Sequence, residues 1–110
     1  MHTDQSSQKV GRHCVQSFVS FTENKERTLV LYRGSQHLHQ DYFNITNTVT
    51  PNDWCVLNPQ YLEGLDYRQE FLHVKPGSLV LWDSRVFHQN TCGNPECREE
   101  RLVQYLCYLP

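Results

Sequence analysis

The chain has 110 residues, with 10 Lys and Arg against 12 Asp and Glu for a net charge of −2, a length that suits one domain over residues 1–110. Charges of both signs are interleaved, so no basic patch argues for nucleic acid or an anionic membrane surface, and no apolar run approaches the ~20 residues of a membrane helix. Cys14, Cys55, Cys92, Cys97 and Cys107 form an odd set without the spacing of a small disulfide-stapled domain, which favours reduced thiols in an intracellular, cytoplasmic compartment.

The first motif is His2-Thr3-Asp4-Gln5. On an extended backbone residues two apart point to the same face, so His2 and Asp4 can grip one ion while Thr3 faces away. Residues 13–22 carry Cys14, Gln16, Phe18, Ser20 and Thr22 on one face and Val15, Ser17, Val19 and Phe21 on the other. Apolar residues on both faces predict a central strand. Residues 23–26 form a polar turn, and residues 28–32 a short buried strand closed by Arg33-Gly34-Ser35. A helical turn is expected over 41–45. Asn58, Pro59 and Gly64 mark a capped single-turn helix, with Asn58 as N-cap and Pro59 in the first turn.

From Glu70 onward the pattern is β again. Strands are expected over 71–74, 78–83, 86–90 and 101–109, with a turn at Pro76-Gly77 and a loop rich in Thr, Cys, Gly, Asn and Pro before the last. Six or seven short strands with turn signals and one or two short helical turns indicate an all-β sandwich or jelly roll.

His88, in the block from Trp82 to Asn90, supplies a second imidazole from a distant strand. Two imidazoles and one carboxylate on one face of an octahedron leave the opposite face open, as non-haem Fe(II) oxygenases require. Zinc, nickel or cobalt would also suit these N and O donors. The plain alternative is two surface histidines and a solvated aspartate. Cys92 and Cys97 near His88 raise a zinc module, but no Cys-x2-Cys pair accompanies them. Asp83 and Arg85 read best as an ion pair, Trp82 and Phe87 as core, and Ser35 as a turn residue near His37 and His39.

Taken together, His2-Thr3-Asp4-Gln5, Gly34-Ser35 followed by His37, Pro76-Gly77, Trp82-Asp83-Ser84-Arg85 leading to His88, and a basic residue opening the last strand resemble the phytanoyl-CoA dioxygenase family of Fe(II)/2-oxoglutarate oxygenases. The resemblance runs from residue 2 to residue 110. It implies a double-stranded β-helix, the cupin-like jelly roll, here N-terminally truncated because the family's helices and first strand precede the motif that begins at residue 2. It further implies Fe(II) held by His2, Asp4 and His88, with 2-oxoglutarate, O2 and a small organic substrate sharing the site.

In that arrangement the far carboxylate of 2-oxoglutarate meets a guanidinium at the start of the last strand, where two parallel hydrogen bonds fit its geometry. Arg101 is the favoured residue, Arg98 its competitor of opposite strand parity, and a solvated charged turn over 98–101 the plain reading. Gln5, Gln16 and Asn90 are candidates for polar contacts to 2-oxoglutarate or to the ligands. A different class of function is a non-catalytic jelly-roll binding domain that self-associates through an open sheet edge left by the first strand. A third is a cupin-like metal protein that takes no 2-oxoglutarate.

Overall fold

The computed structural model describes residues 1–109. In chain order the elements are β1 (His2–Thr3), β2 (Val15–Ser20), β3 (Leu29–Tyr32), α1 (His39–Ile45), β4 (Cys55–Val56), α2 (Pro59–Glu63), β5 (Gln69–Phe71), β6 (Leu79–Asp83), β7 (His88–Asn90) and β8 (Val103–Tyr108), with 3₁₀ turns at Ser35–His37 and Asp66–Arg68. The strands form two antiparallel sheets, one of five in the order β4-β1-β7-β3-β5 and one of three in the order β6-β2-β8. The fold is mostly β, as the alternating pattern predicts.

Directly opposed residues share a face, so the registers sort the side chains. In the larger sheet His2 lies opposite Val56 and His88, and Leu31 opposite His88. Leu29, Leu31 and the two histidines therefore look toward the smaller sheet. Thr3, Tyr32 and Phe87 look the other way. There Tyr32 and Phe87 pack with Tyr42 and Phe43 of α1 and with Leu57 and Leu62 around α2. The second apolar cluster, Phe18, Leu29, Val74, Trp82 and Val86, fills the space between the sheets. The five-stranded sheet is thus covered by helices on one face and by β6-β2-β8 on the other.

Local chemistry explains most element ends. Asn58 Oδ1 accepts from the backbone N–H of Gln60 at 2.8 Å and of Tyr61 at 3.4 Å, satisfying two of the orphan donors that open α2. The helix expected over 41–45 begins earlier, at His39, because the 3₁₀ turn at Ser35–His37 feeds directly into it. Ser35 is more than a turn residue: it is buried, and its Oγ accepts the Phe87 N–H at 2.8 Å.

Two expectations need correction. The first strand is not a sheet edge, because β4, a two-residue strand with too little alternation to read in sequence, pairs with it on the side away from β7. The chain start is tied down as well: the Met1 ammonium donates to Gln89 Oε1 at 2.6 Å and the Leu57 N–H to the Met1 carbonyl at 3.1 Å. Finally, β2 is central by pairing, yet its outward face is not covered. Leu79, Leu81, Leu106 and Tyr108 stand exposed beside it.

The turn from β6 to β7 sets the approach of His88. Asp83 Oδ1 accepts from Arg85 N and Nε, both at 2.9 Å, and Oδ2 from Nη2 at 2.8 Å. Burial works to raise the Asp83 pKa, but these bonds and the Arg85 charge outweigh it and hold the carboxyl below its usual range. A folded value below the unfolded one means the contribution is complete above the ordinary carboxylate range and is lost as pH falls through the folded value. Asp83→Asn should therefore cost about 1–3 kcal/mol near neutrality. The gap from the parent should narrow below about pH 4. Urea unfolding at the two pH values tests this, and an undiminished gap in acid would contradict it.

Candidate metal centre

The sheet registers place the three residues singled out by spacing on one spot. His2 and His88 sit directly opposite each other on β1 and β7, with ring centroids 4.4 Å apart. Asp4 follows β1 on the same face, its N–H donating to the Ser84 carbonyl at 3.0 Å. Its Oδ2 is 3.1 Å from His88 Nε2 and 3.5 Å from His2 Nε2. One donor atom from each of His2, Asp4 and His88 lies within 4.8 Å of the others, and among the described residues no other group of three His, Cys, Asp or Glu does so. This cluster can hold a metal ion.

The surrounding bonds aim the ligand atoms. His88 is buried, and its Nδ1 lies 2.8 Å from the Val86 carbonyl, which can only accept, so the ring proton sits on Nδ1 and Nε2 turns inward. Gln16 Nε2 donates to Asp4 Oδ2 at 2.8 Å. Burial pushes the Asp4 pKa up. The bonds from His2, His88 and Gln16 and the charge of His88 outweigh it and leave the carboxyl far below its usual range. Asp4 is thus an acceptor held ready as the carboxylate. Trp82 packs on His88 with centroids 5.4 Å apart and walls its inner side.

The cluster opens on a cavity of about 290 Å³ between the sheets, lined by Gln16, Leu29, Trp82, Asn90 and Tyr105 among others. Two buried polar atoms on its lining residues, Gln16 Oε1 and Trp82 Nε1, have no hydrogen-bond partner. Arg101 precedes β8 by two residues, on the face that carries Val103 and Tyr105, and is half-buried. Its guanidinium lies 5.2 Å from the Phe18 ring centroid and 5.9 Å from that of Tyr105, and its buried Nη2 also lacks a partner. A guanidinium with an unused donor, packed on the ring of the cavity-lining Tyr105, suits an anionic ligand.

The other candidates fall out differently. Arg98 is exposed and lines a separate open hollow of about 540 Å³ between residues 25–26 and 94–99. In that loop the Glu99 carboxylate accepts from the backbone N–H groups of Lys25, Glu26 and Arg27, at 2.7–3.0 Å. The charged run 98–101 is therefore divided, with Glu99 clasping the backbone of residues 25–27 and Arg101 lying over the Phe18 and Tyr105 rings. Gln5 is buried but structural: its Nε2 donates to the Lys9 and Gly11 carbonyls and its Oε1 accepts from Ser84 Oγ. Asn90 is exposed at the cavity rim, donating to Tyr105 Oη at 3.2 Å. His39 is buried against Phe43 with Nε2 bonded to the Gln5 carbonyl at 2.9 Å, and burial pushes its pKa down. All five cysteines are free, and Cys92 and Cys97 join no metal cluster.

Sequence reasoning missed Trp54. Its indole lies beside His2, with centroids 6.1 Å apart. The only sequence signal was an aromatic residue at the start of an unpredicted strand.

Fold and site together define a mostly β protein with a candidate 2-His-1-carboxylate centre between its sheets. No protein-family model and no solved structure matches the chain. It is 25% identical, over 131 aligned residues, to a protein named Ava biosynthesis cluster protein O from Aspergillus versicolor. The match takes in 99% of this chain but spans only 39% of that relative. No helix among the described residues is long and apolar enough to cross a membrane.

Proposed function

We propose that this chain is an Fe(II)- and 2-oxoglutarate-dependent dioxygenase of phytanoyl-CoA dioxygenase type, built on a double-stranded β-helix and hydroxylating a small organic substrate. The observation that carries the reading is the convergence of His2, Asp4 and His88 from β1 and β7 on the wall of an inter-sheet cavity. The two facing antiparallel sheets support the jelly-roll reading, although they divide five and three rather than four and four. The relative's name places it in a biosynthesis cluster, which fits a small-molecule substrate.

The donor set fits iron: two neutral imidazole nitrogens, one carboxylate and no thiolate. Iron bound there, with 2-oxoglutarate and O2, supplies the oxidising power to hydroxylate an unactivated C–H bond, with succinate and CO2 as coproducts. The chain's own residues do the rest. Val86 holds the His88 proton on Nδ1, Gln16 orients the Asp4 carboxylate, and Trp82 keeps water from the inner side of His88. Arg101, steadied on the Phe18 and Tyr105 rings, presents Nη2 to the far carboxylate of 2-oxoglutarate. Gln16 and Asn90 line the same cavity, and their amides would supply further polar contacts to the cosubstrate.

Anaerobic addition of Fe(II) and then 2-oxoglutarate should produce a metal-to-ligand charge-transfer band, and aerobic incubation should yield succinate even without substrate. Arg101→Met should raise the apparent KM for 2-oxoglutarate by about ten- to a hundredfold, the loss of hydrogen bonds between charged groups. Co(II) affinity should stay unchanged. An Arg101→Met variant indistinguishable from the parent would instead favour a cupin-like metal protein that takes no 2-oxoglutarate.

Folded protein giving neither band nor succinate would favour the second reading, a non-catalytic jelly-roll domain acting by pairing with another chain. The uncovered face of Leu79, Leu81, Leu106 and Tyr108 supports that alternative, since contiguous exposed apolar surface marks interaction sites. So do the open edges at β4, β5, β6 and β8.

A further inference from the structure

The five-stranded sheet is wider than the sheet that faces it, and one of its edges is β4, beside the metal cluster. Val56 is opposite His2 in the β1–β4 register, so it shares the face that carries His2 and His88. Trp54 stands two residues before it, with its ring 6.1 Å from that of His2 and tilted by 40°. Both side chains are 59% exposed. Between them Cys55 points to the opposite face, where it packs against the helix-covered cluster. This strand is thus apolar on both faces, yet only the face away from the metal cluster is covered.

We propose that Trp54 and Val56 form the substrate platform of this site, and that the substrate is an uncharged molecule presenting an apolar ring to the Trp54 indole. The proposal rests on the oxygenase reading above. An aromatic surface continuous with a metal ligand positions a ring beside the metal, with stacking or edge-to-face contact fixing its orientation. Asp53, the residue before Trp54, is committed to Lys9 in an ion pair and also accepts the Ser6 N–H.

The chain has two tryptophans, one exposed and one buried, so ¹⁵N–¹H spectra of the full Zn(II)-loaded protein should show two indole signals, one identified by its loss in Trp54→Phe. Titration with 1-naphthol should move the Trp54 signal to saturation and leave the Trp82 signal in place. Methyl β-glucoside should move neither. Trp54→Ala should weaken 1-naphthol binding by about tenfold or more, while Trp54→Phe stays within about threefold. Val56→Ser should weaken it by a smaller factor. A still Trp54 signal, unchanged affinity in Trp54→Ala or equal binding of the glucoside would each overturn the platform. Co(II) binding, measured separately, keeps the two ideas apart. Metal bound without naphthol sinks the platform alone, whereas naphthol bound by protein that takes no metal sinks the oxygenase reading alone.

Discussion

Replacing His88 with alanine should remove metal binding, with Co(II) affinity falling by at least about a hundredfold. Even residues that only support a ligand are worth about ten- to a hundredfold in metal affinity, and His88 offers a donor atom itself. It is also the best-oriented of the three, buried, with Nδ1 fixed on Val86 and Nε2 3.1 Å from Asp4. Metal that binds the folded state alone stabilises it by mass action, by about 2.7 kcal/mol at a hundred times Kd. For a chain of this length that corresponds to a rise in Tm on the order of 10 °C. The parent should show this rise on Co(II) addition and His88→Ala should show none, while its far-UV circular dichroism stays that of a folded β protein. Asp4→Asn should lose most of the same shift, because an amide is a weaker ligand than a carboxylate. An equal rise in Tm for parent and both variants would mean that Co(II) binds elsewhere and that the three side chains meet for structural reasons only.

The parts of this molecule that sequence exposes are those governed by local periodicity and local capping. The apolar pattern placed β2, β3, β6 and β8 within two residues of their ends, and Asn58-Pro59 located α2. The triad was legible for the same reason, since the spacing of His2 and Asp4 fixes a shared face once the segment is extended. What escaped was decided by partners far along the chain. β4 is only Cys55–Val56 and exists because β1 needs a second neighbour. β5 was expected over 71–74 from its apolar residues. The ladder to β3 instead uses the exposed Gln69, Glu70 and Phe71, while Val74 makes an isolated bridge to Asn24. There the pairing follows the edge of the sheet and the burial follows the core, and the two are out of step by three residues.

The same division holds within the site. Gln16 was a candidate polar contact and Arg101 the guanidinium that the resemblance implies; Gln16 lines the cavity, and Arg101 packs on Phe18 and Tyr105. Nothing in the sequence distinguished Gln5, whose amide ties the 5–11 loop to Ser84, from a cosubstrate contact, because a buried amide serves either purpose. Trp54 was invisible as a site residue because its meaning depends on the register of a strand that could not be read.

Phe87→Ala should lower stability by about 3–5 kcal/mol, most of the margin available to a small domain with about 5–15 kcal/mol in total. Phe87 is fully buried and meets Tyr42 and Tyr61 edge-on, at centroid separations of 5.8 and 6.4 Å, in the cluster between the large sheet and both helices. Its backbone is committed too, donating to Ser35 Oγ and accepting the Tyr32 N–H at 2.9 Å, so the strand cannot easily collapse into the space left behind. Urea unfolding should show the loss directly, with Phe87→Leu costing much less. The position also couples fold to site, because the residue after it is His88. Saturating Co(II) should restore part of the lost stability in Phe87→Ala by binding its folded state, and none in the double variant with His88→Ala. A loss below about 1 kcal/mol would show that the helix layer is peripheral. Equal rescue of single and double variants would show that the metal acts away from the end of β7.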